Sequence, residues 1–357
     1  MGGAAEAALV PLGEAQRRFQ TLADEGNTSA AGMASVAITG TADCLMDLGR
    51  LDEASAAYQE AIGRKEKLND RRGIAVNKGQ LGTVRLLQKR YQEALAAYTE
   101  ARLNFESLSE PRSVAVVWHQ IGMVYKRAGQ FEQAESAYRQ SLAIEVREKN
   151  LAGEASSQTE LGNLYATMER LEEAVKCFRQ AADIAVKLQD QMKEGLRRNN
   201  LAVTLIKLER YDEARRELMR TIECNKPYGH AAEPWITWDI LHDLEQATGH
   251  PQAAAEARQQ AIEVYLAYRH DGGQSYEWGA QQCAAVAEAI EQGEATALAQ
   301  ELAAYLKTQT GPRDQALLPK LQAILGGSRD LALADDPALY YQDAVELRLL
   351  LEALGAS

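Results

Sequence analysis

Arg50-Leu51-Asp52-Glu53-Ala54 returns as Arg90-Tyr91-Gln92-Glu93-Ala94, Gln130-Phe131-Glu132-Gln133-Ala134, Arg170-Leu171-Glu172-Glu173-Ala174 and Arg210-Tyr211-Asp212-Glu213-Ala214. A worn sixth copy reads His250-Pro251-Gln252-Ala253-Ala254. Each copy begins 40 residues after the last. Self-similarity at a fixed period of this size is the signature of a repeat array. Every copy holds two helical patterns and a short turn, as in Gly73 to Gln88 followed by Tyr91 to Leu108. In that copy Leu81 and Gly82 precede Ala94, Tyr98 and Ala101, whose gaps of four and three place them on one helical stripe. Trp118, Ile121, Gly122, Tyr125, Ala134 and Tyr138 repeat the arrangement, and so do Leu161, Gly162, Tyr165, Ala174, Phe178 and Ala181.

The box is expected to pack helices rather than to do chemistry. Ala at positions 54, 94, 134, 174, 214 and 254 lets the two helices of a copy approach closely, and a larger side chain there would overpack the contact by about 1–3 kcal/mol. Gly82, Gly122 and Gly162 serve the first helix in the same way, despite a propensity cost of about 1 kcal/mol each. The acidic residues before each Ala fall in the first turn of the second helix, where the helix dipole favours negative charge. One copy alone buries too little surface, so stacking must supply the core.

A small residue in the first helix, Ala twelve later, an aromatic four on and Ala three further resembles the tetratricopeptide-repeat pattern, over about two thirds of the chain. The period is six longer than the usual ~34 residues, and the extra length falls around Leu103 to Arg112. This long form resembles the repeats of kinesin light chain, of the Pins/LGN polarity proteins and of bacterial signalling proteins, as does the run Asn199-Asn200-Leu201-Ala202. The resemblance implies an all-α fold: a right-handed solenoid of about six helix pairs with a helical C-terminal cap. It also implies a concave face lined by the first helices.

Residues 33–270 hold the six copies. Residues 1–32 read as one helix, about Glu6 to Asp24, and a breaker at Gly26-Asn27-Thr28-Ser29. This is either an N-terminal cap or a half-repeat cut from a longer array. In the sixth copy Arg258 stands where the aromatic belongs and His242 where the small residue belongs, so Trp235, Trp238 and Tyr265 are expected to rebuild the packing. Residues 271–357 read as a cap or small domain of three or four helices without the period. Pro312 and Pro337 are expected to open two of them, Asp336 capping the second, and the last carries Val345, Leu347, Leu349, Leu350 and Leu351. This tail resembles, more weakly, the ends of repeat-bearing signalling proteins, including the sensors of STAND-type NTPases.

Composition narrows the function. The formal net charge is −12. Residues 271–357 contain 13 acidic and 5 basic side chains, so −8 of it sits in the tail. An acidic chain repels phosphate backbones, which argues against nucleic acid. No apolar run approaches the ~18 residues of a membrane span, and no secretory leader is evident. Cys44, Cys177, Cys224 and Cys283 are scattered, as in a reduced cytoplasmic protein. No phosphate-binding Gly-Lys-Ser/Thr loop, zinc-binding helix motif or nucleophile elbow is present. The expectation is a protein that is not an enzyme and needs no cofactor or metal, leaving room for homo-oligomers.

Projecting the repeat register onto the first helices places Thr39, Asp43, Gly79, Thr83, His119, Met123, Thr159, Asn163, Asn199, Val203, Asp239 and Asp243 on the concave face. Gln80, Gln120 and Asn200 lie beside it. This is a polar, mostly neutral channel with acidic ends, suited to the backbone of an extended peptide. Lys126 and Arg127 at its edge could meet an acidic ligand. The carboxylate clamp of chaperone-tail receptors is disfavoured, because its Lys places hold Thr, Gly, His or Asn. The expected function is a scaffold or sensor module that binds a partner peptide or helix, within a bacterial signalling protein. The alternative is a self-contained regulator that folds around a small peptide.

Overall fold

The computed structural model describes residues 2–355, and every regular element among them is helical. The helices are α1 (Gly2–Asp24), α2 (Thr28–Asp47), α3 (Leu51–Lys67), α4 (Arg71–Leu87), α5 (Tyr91–Ser107), α6 (Pro111–Arg127), α7 (Phe131–Arg147), α8 (Leu151–Thr167) and α9 (Leu171–Lys187). There follow α10 (Gln191–Lys207), α11 (Tyr211–Asn225), α12 (Pro234–Ala247), α13 (Pro251–His270), α14 (Trp278–Glu291), α15 (Ala295–Leu306), α16 (Pro312–Leu325) and α17 (Tyr341–Ala353). The chain forms two compact units, one ending at Gln189 and the other beginning at Asp190. The first contains α1 and four hairpins, α2/α3 to α8/α9. The second contains two hairpins, α10/α11 and α12/α13, and the four helices of the tail.

In the hairpins α4/α5, α6/α7 and α8/α9 an aromatic ring of the second helix lies on a glycine of the first. A Cβ added to Gly82 would stand 2.9 Å from the Tyr98 ring; at Gly122 it would meet Tyr138 at 2.6 Å, and at Gly162 Phe178 at 2.7 Å. Those rings and Ala94, Ala134 and Ala174 are fully or almost fully buried. The packing role expected of the box therefore holds. Its first residue adds something the sequence reading left out. Arg50, Arg90, Arg170 and Arg210 precede their helices and donate from Nε to Glu53, Glu93, Glu173 and Glu213 at 2.8, 2.6, 2.7 and 2.7 Å. The box acids thus answer an Arg as well as the helix dipole.

The turns share one geometry. Gly49, Asn69, Lys89, Ser109, Gly129, Lys149, Glu169, Gln189, Glu209 and Gly249 all have positive φ, at 20-residue intervals; at the one intervening place Gly229 also has positive φ, but in a kink with ψ at −132°. The next N–H closes the helix end, as when Arg90 donates to the carbonyl of Arg85 at 2.8 Å and Gln130 to that of Tyr125 at 2.9 Å. From α3 to α10 every helix spans 17 residues, so helix and turn advance together in equal steps, which is how the period stays at 40.

The sixth hairpin keeps the contact with different chemistry. The His242 ring donates from Nδ1 to the carbonyl of Ala254 at 2.9 Å. Arg258, in the aromatic column, reaches the tail and donates to the carbonyls of Asp336 and Leu339 at 3.2 and 2.9 Å. Trp235 and Tyr265 are buried with Tyr341 and Val345 of α17, with Trp238 packed against them. The tail core gathers Cys283, Val286, Leu317, Leu318, Leu321, Leu347 and Leu351. One expectation fails here. Pro337 opens no helix: a 3-10 turn covers Leu331–Asp335, and the last helix starts at Tyr341. Asp336 Oδ1 still caps, but it accepts from Ala338 N within a turn, at 2.8 Å.

Gly122→Ala should lower the urea midpoint, since its Cβ meets Tyr138 at 2.6 Å and overpacking costs about 1–3 kcal/mol. Gly63→Ala, in a helix with nothing within 4 Å of the new Cβ, should raise stability by about 0.5–1 kcal/mol. Equal responses from the two would show that the ring-on-glycine contact does not govern the hairpin.

Candidate functional site

The first helices expose a column of apolar side chains that the sequence reading did not single out. Val36, Val76 and Val116 in the first unit are 55%, 36% and 56% exposed; Leu196 and Ile236 in the second are 62% and 41% exposed. They occupy the same position in successive repeats, and Ser156 is the polar exception. One turn further along each helix come the residues projected from the register.

Two cavities lie on this face, one per unit. The first is about 230 Å³ and is lined by Val76, Gly79, Gln80, Thr83, Tyr98, Phe105, Ser113, Val116, Val117 and Gln120 of α4, α5 and α6. The second is about 300 Å³, with Leu196, Asn199, Asn200, Val203, Asn225, Ile236 and Ile240 among its lining residues. Adding 120 to Val76, Gly79, Gln80, Thr83, Phe105, Val116 and Gln120 reaches these seven residues in order. The same place in the repeat is hollow twice. At one lining position the chemistry differs, Asn225 of the second unit replacing Phe105 of the first.

The projected residues divide into those free to meet a ligand and those already engaged. Thr83 Oγ1 is 2.9 Å from the Tyr98 hydroxyl and serves that buried group. His119 is half-buried, with its ring edge-on to Tyr138 at 5.5 Å; burial pushes its pKa below the usual value, so it is neutral at pH 7. Met123 is half-buried beside it in the register. Thr159 Oγ1 donates to the carbonyl of Ala155 at 2.8 Å. Lys126 Nζ is paired with Glu160 at 3.1 Å, and Asn163 Nδ2 donates to the same carboxylate at 3.3 Å. Lys126 is therefore held internally, while Arg127 is exposed.

In the second unit Asn199 Nδ2 donates to Thr237 Oγ1 at 2.9 Å, and its Oδ1 is buried with no partner among the described residues. Asn225 Nδ2 approaches the same hydroxyl at 3.4 Å. Leaving such an atom unmatched costs about 1–3 kcal/mol, and the Asn199 amide is otherwise held by Thr237. Asn200 is half-buried and Val203 exposed at the cavity. Asp239 continues the face on α12. Burial first, and then the Asp243 carboxylate, push its pKa up to about 6, against the opposing effects of His242 and Arg258.

Among the described residues no group of three or more His, Cys, Asp or Glu side chains is placed to hold a metal ion. No helix there is long and apolar enough to cross a membrane. Cys177, Cys224 and Cys283 are buried, and burial raises the pKa of each, which suppresses the thiolate.

Family models described as tetratricopeptide repeat match residues 33–107 and 113–187, and residues 196–226, together just over half of the chain. The unmatched sixth hairpin is the one with His242 and Arg258 in the contact. No curated protein matches significantly in sequence. Among solved structures, the apo form of RapI is 15% identical with a TM-score of 0.60, the match covering 99% of each chain. A Signal Transduction ATPase with Numerous Domains (STAND) protein with a tetratricopeptide repeat sensor, from Pyrococcus horikoshii, is 16% identical with a TM-score of 0.60. That match covers 75% of this chain and 42% of the STAND protein. BtubC from P. vanneervenii is 19% identical with a TM-score of 0.51, over 77% of this chain and 95% of the other. At these identities the likeness is one of fold: helical hairpin repeats of the solenoid type.

Asp239 binds its proton more tightly folded than unfolded, so its contribution to stability is full below about pH 4 and is lost as pH rises through about 6. Asp239→Asn should therefore be more stable than the parent at pH 7, with a gap that narrows as pH falls toward 4. Thermal melts across that range check this, and a pH-independent gap would refute it.

Proposed function

The chain belongs to the tetratricopeptide-repeat family, and on that premise we propose that it is a non-catalytic interaction module whose first-helix face takes a segment of a partner protein or peptide. The observation that carries the reading is the exposed apolar column with a cavity behind it at the same repeat position in each unit. Exposed aliphatic side chains in register, rimmed by uncharged amides, are a cost in water and an anchor in a complex. The register residues act with them: Thr83 in the first cavity, Asn199, Asn200 and Val203 in the second. His119, Met123, Thr159, Asn163, Lys126, Arg127 and Asp239 flank these places in the repeat register.

The module is placed in bacterial signalling, as a sensor or scaffold in the cytoplasm. The STAND protein, whose tetratricopeptide repeats are a sensor, supports the sensor part of this reading. The second reading, a self-contained peptide-responsive regulator, is favoured by one observation. The fold match to RapI runs through the tail helices as well as the repeats.

Val116→Asp and Leu196→Asp should each weaken capture of the native partner from a source lysate by tenfold or more, with helicity unchanged. Hydrogen exchange of the complex should show protection in α4, α6, α10 and α12. Protection confined to second helices, with both variants binding normally, would overturn the proposal.

A further inference from the structure

We propose that the ligand segment crossing α4 and α6 is an uncharged chain in the polyproline II conformation, presenting an apolar side chain at every third residue. This rests on the interaction reading above and specifies its ligand. Three observations carry it.

The first is spacing. Val76 and Val116 are equivalent positions on two helices that touch directly, so their separation along the ligand is set by helix packing, about 8–10 Å. A polyproline II chain rises about 3.1 Å per residue, so its residues i and i+3 are about 9 Å apart on one face. A β-strand offers same-face residues about 6.7 or 13 Å apart and misses both ways. An α-helix could match with residues two turns apart, about 11 Å.

The second observation separates the last two conformations. Gln80 and Gln120 both line the cavity, each one turn beyond its valine, and neither side chain has a hydrogen-bond partner among the described residues. An α-helix has its backbone groups bonded internally and offers such amides little. A polyproline II chain has every carbonyl free.

The third is the cavity itself. None of its lining side chains carries a charge, so a ligand charge held there would stay uncompensated. Tyr98 and Phe105 close the cavity from behind as buried core side chains. Gly79 leaves open space, with nothing within 4 Å of where its Cβ would be.

The test is titration of the full chain with three peptides. The first is nine residues of proline with leucine at every third position, the second is nine residues of proline with leucine at every second, and the third is an alanine-based helix of about 18 residues with leucines seven apart, long enough to be helical in water. The first should bind at least tenfold more tightly than the others. Val76→Asp should abolish its binding, and Gln80→Ala and Gln120→Ala should each weaken it roughly threefold to tenfold. Tighter binding of the second or third peptide, still lost in Val76→Asp, would overturn the conformation and leave the interaction reading standing. Failure of all three peptides overturns the inference. The interaction reading falls with it only if the captured partner is also indifferent to Val116→Asp.

Discussion

The contact between a ring on one helix and a residue with little or no side chain on the other sets the rest of this structure. Tyr98 on Gly82, Tyr138 on Gly122 and Phe178 on Gly162 leave no room for a methyl group. So close an approach fixes the rotation of each first helix about its axis. That rotation decides which residues face the partner helix and which face away. The apolar column at Val36, Val76 and Val116 is exposed because the contact column is buried. Where the ring is missing, the first-helix residue changes too: Ala202 stands opposite Leu218, and His242 opposite Arg258.

Polar groups finish what the rings begin. Thr83 serves the Tyr98 hydroxyl, and the Arg at the head of four boxes holds the Glu three residues on. Each such partnership removes a residue from the pool that could meet a ligand. This is why Lys126 and Asn163, which look available in sequence, share the carboxylate of Glu160. What stays free is Gln80, Gln120 and Asn200, and the exposed aliphatic column.

Within the second unit the tail is bound to the sixth repeat by the residues through which that repeat departs from the pattern. Arg258 cannot fill the aromatic column, and its guanidinium instead holds the carbonyls of Asp336 and Leu339. Tyr341 and Val345 complete an aromatic cluster with Trp235 and Tyr265. The packing change at the end of the repeats thus creates a docking surface for α17.

The sequence by itself determined the helical class, the period, the hairpin contact and the register that places residues on the first-helix face. These were legible because each depends on spacing along one chain. A gap of four between Ala94 and Tyr98 has only one consequence on a helix. Pro337 and the turns were less legible. Only some turn residues are glycine, the others being Asn, Lys, Ser, Glu or Gln in the left-handed conformation. Only the tertiary structure decided which register residues are engaged, that a cavity recurs at the same repeat position, and that Asp239 is buried enough to hold a proton near pH 6. Hydrogen bonds between helices, burial and unpaired atoms depend on where several elements meet, and no spacing along the chain records that.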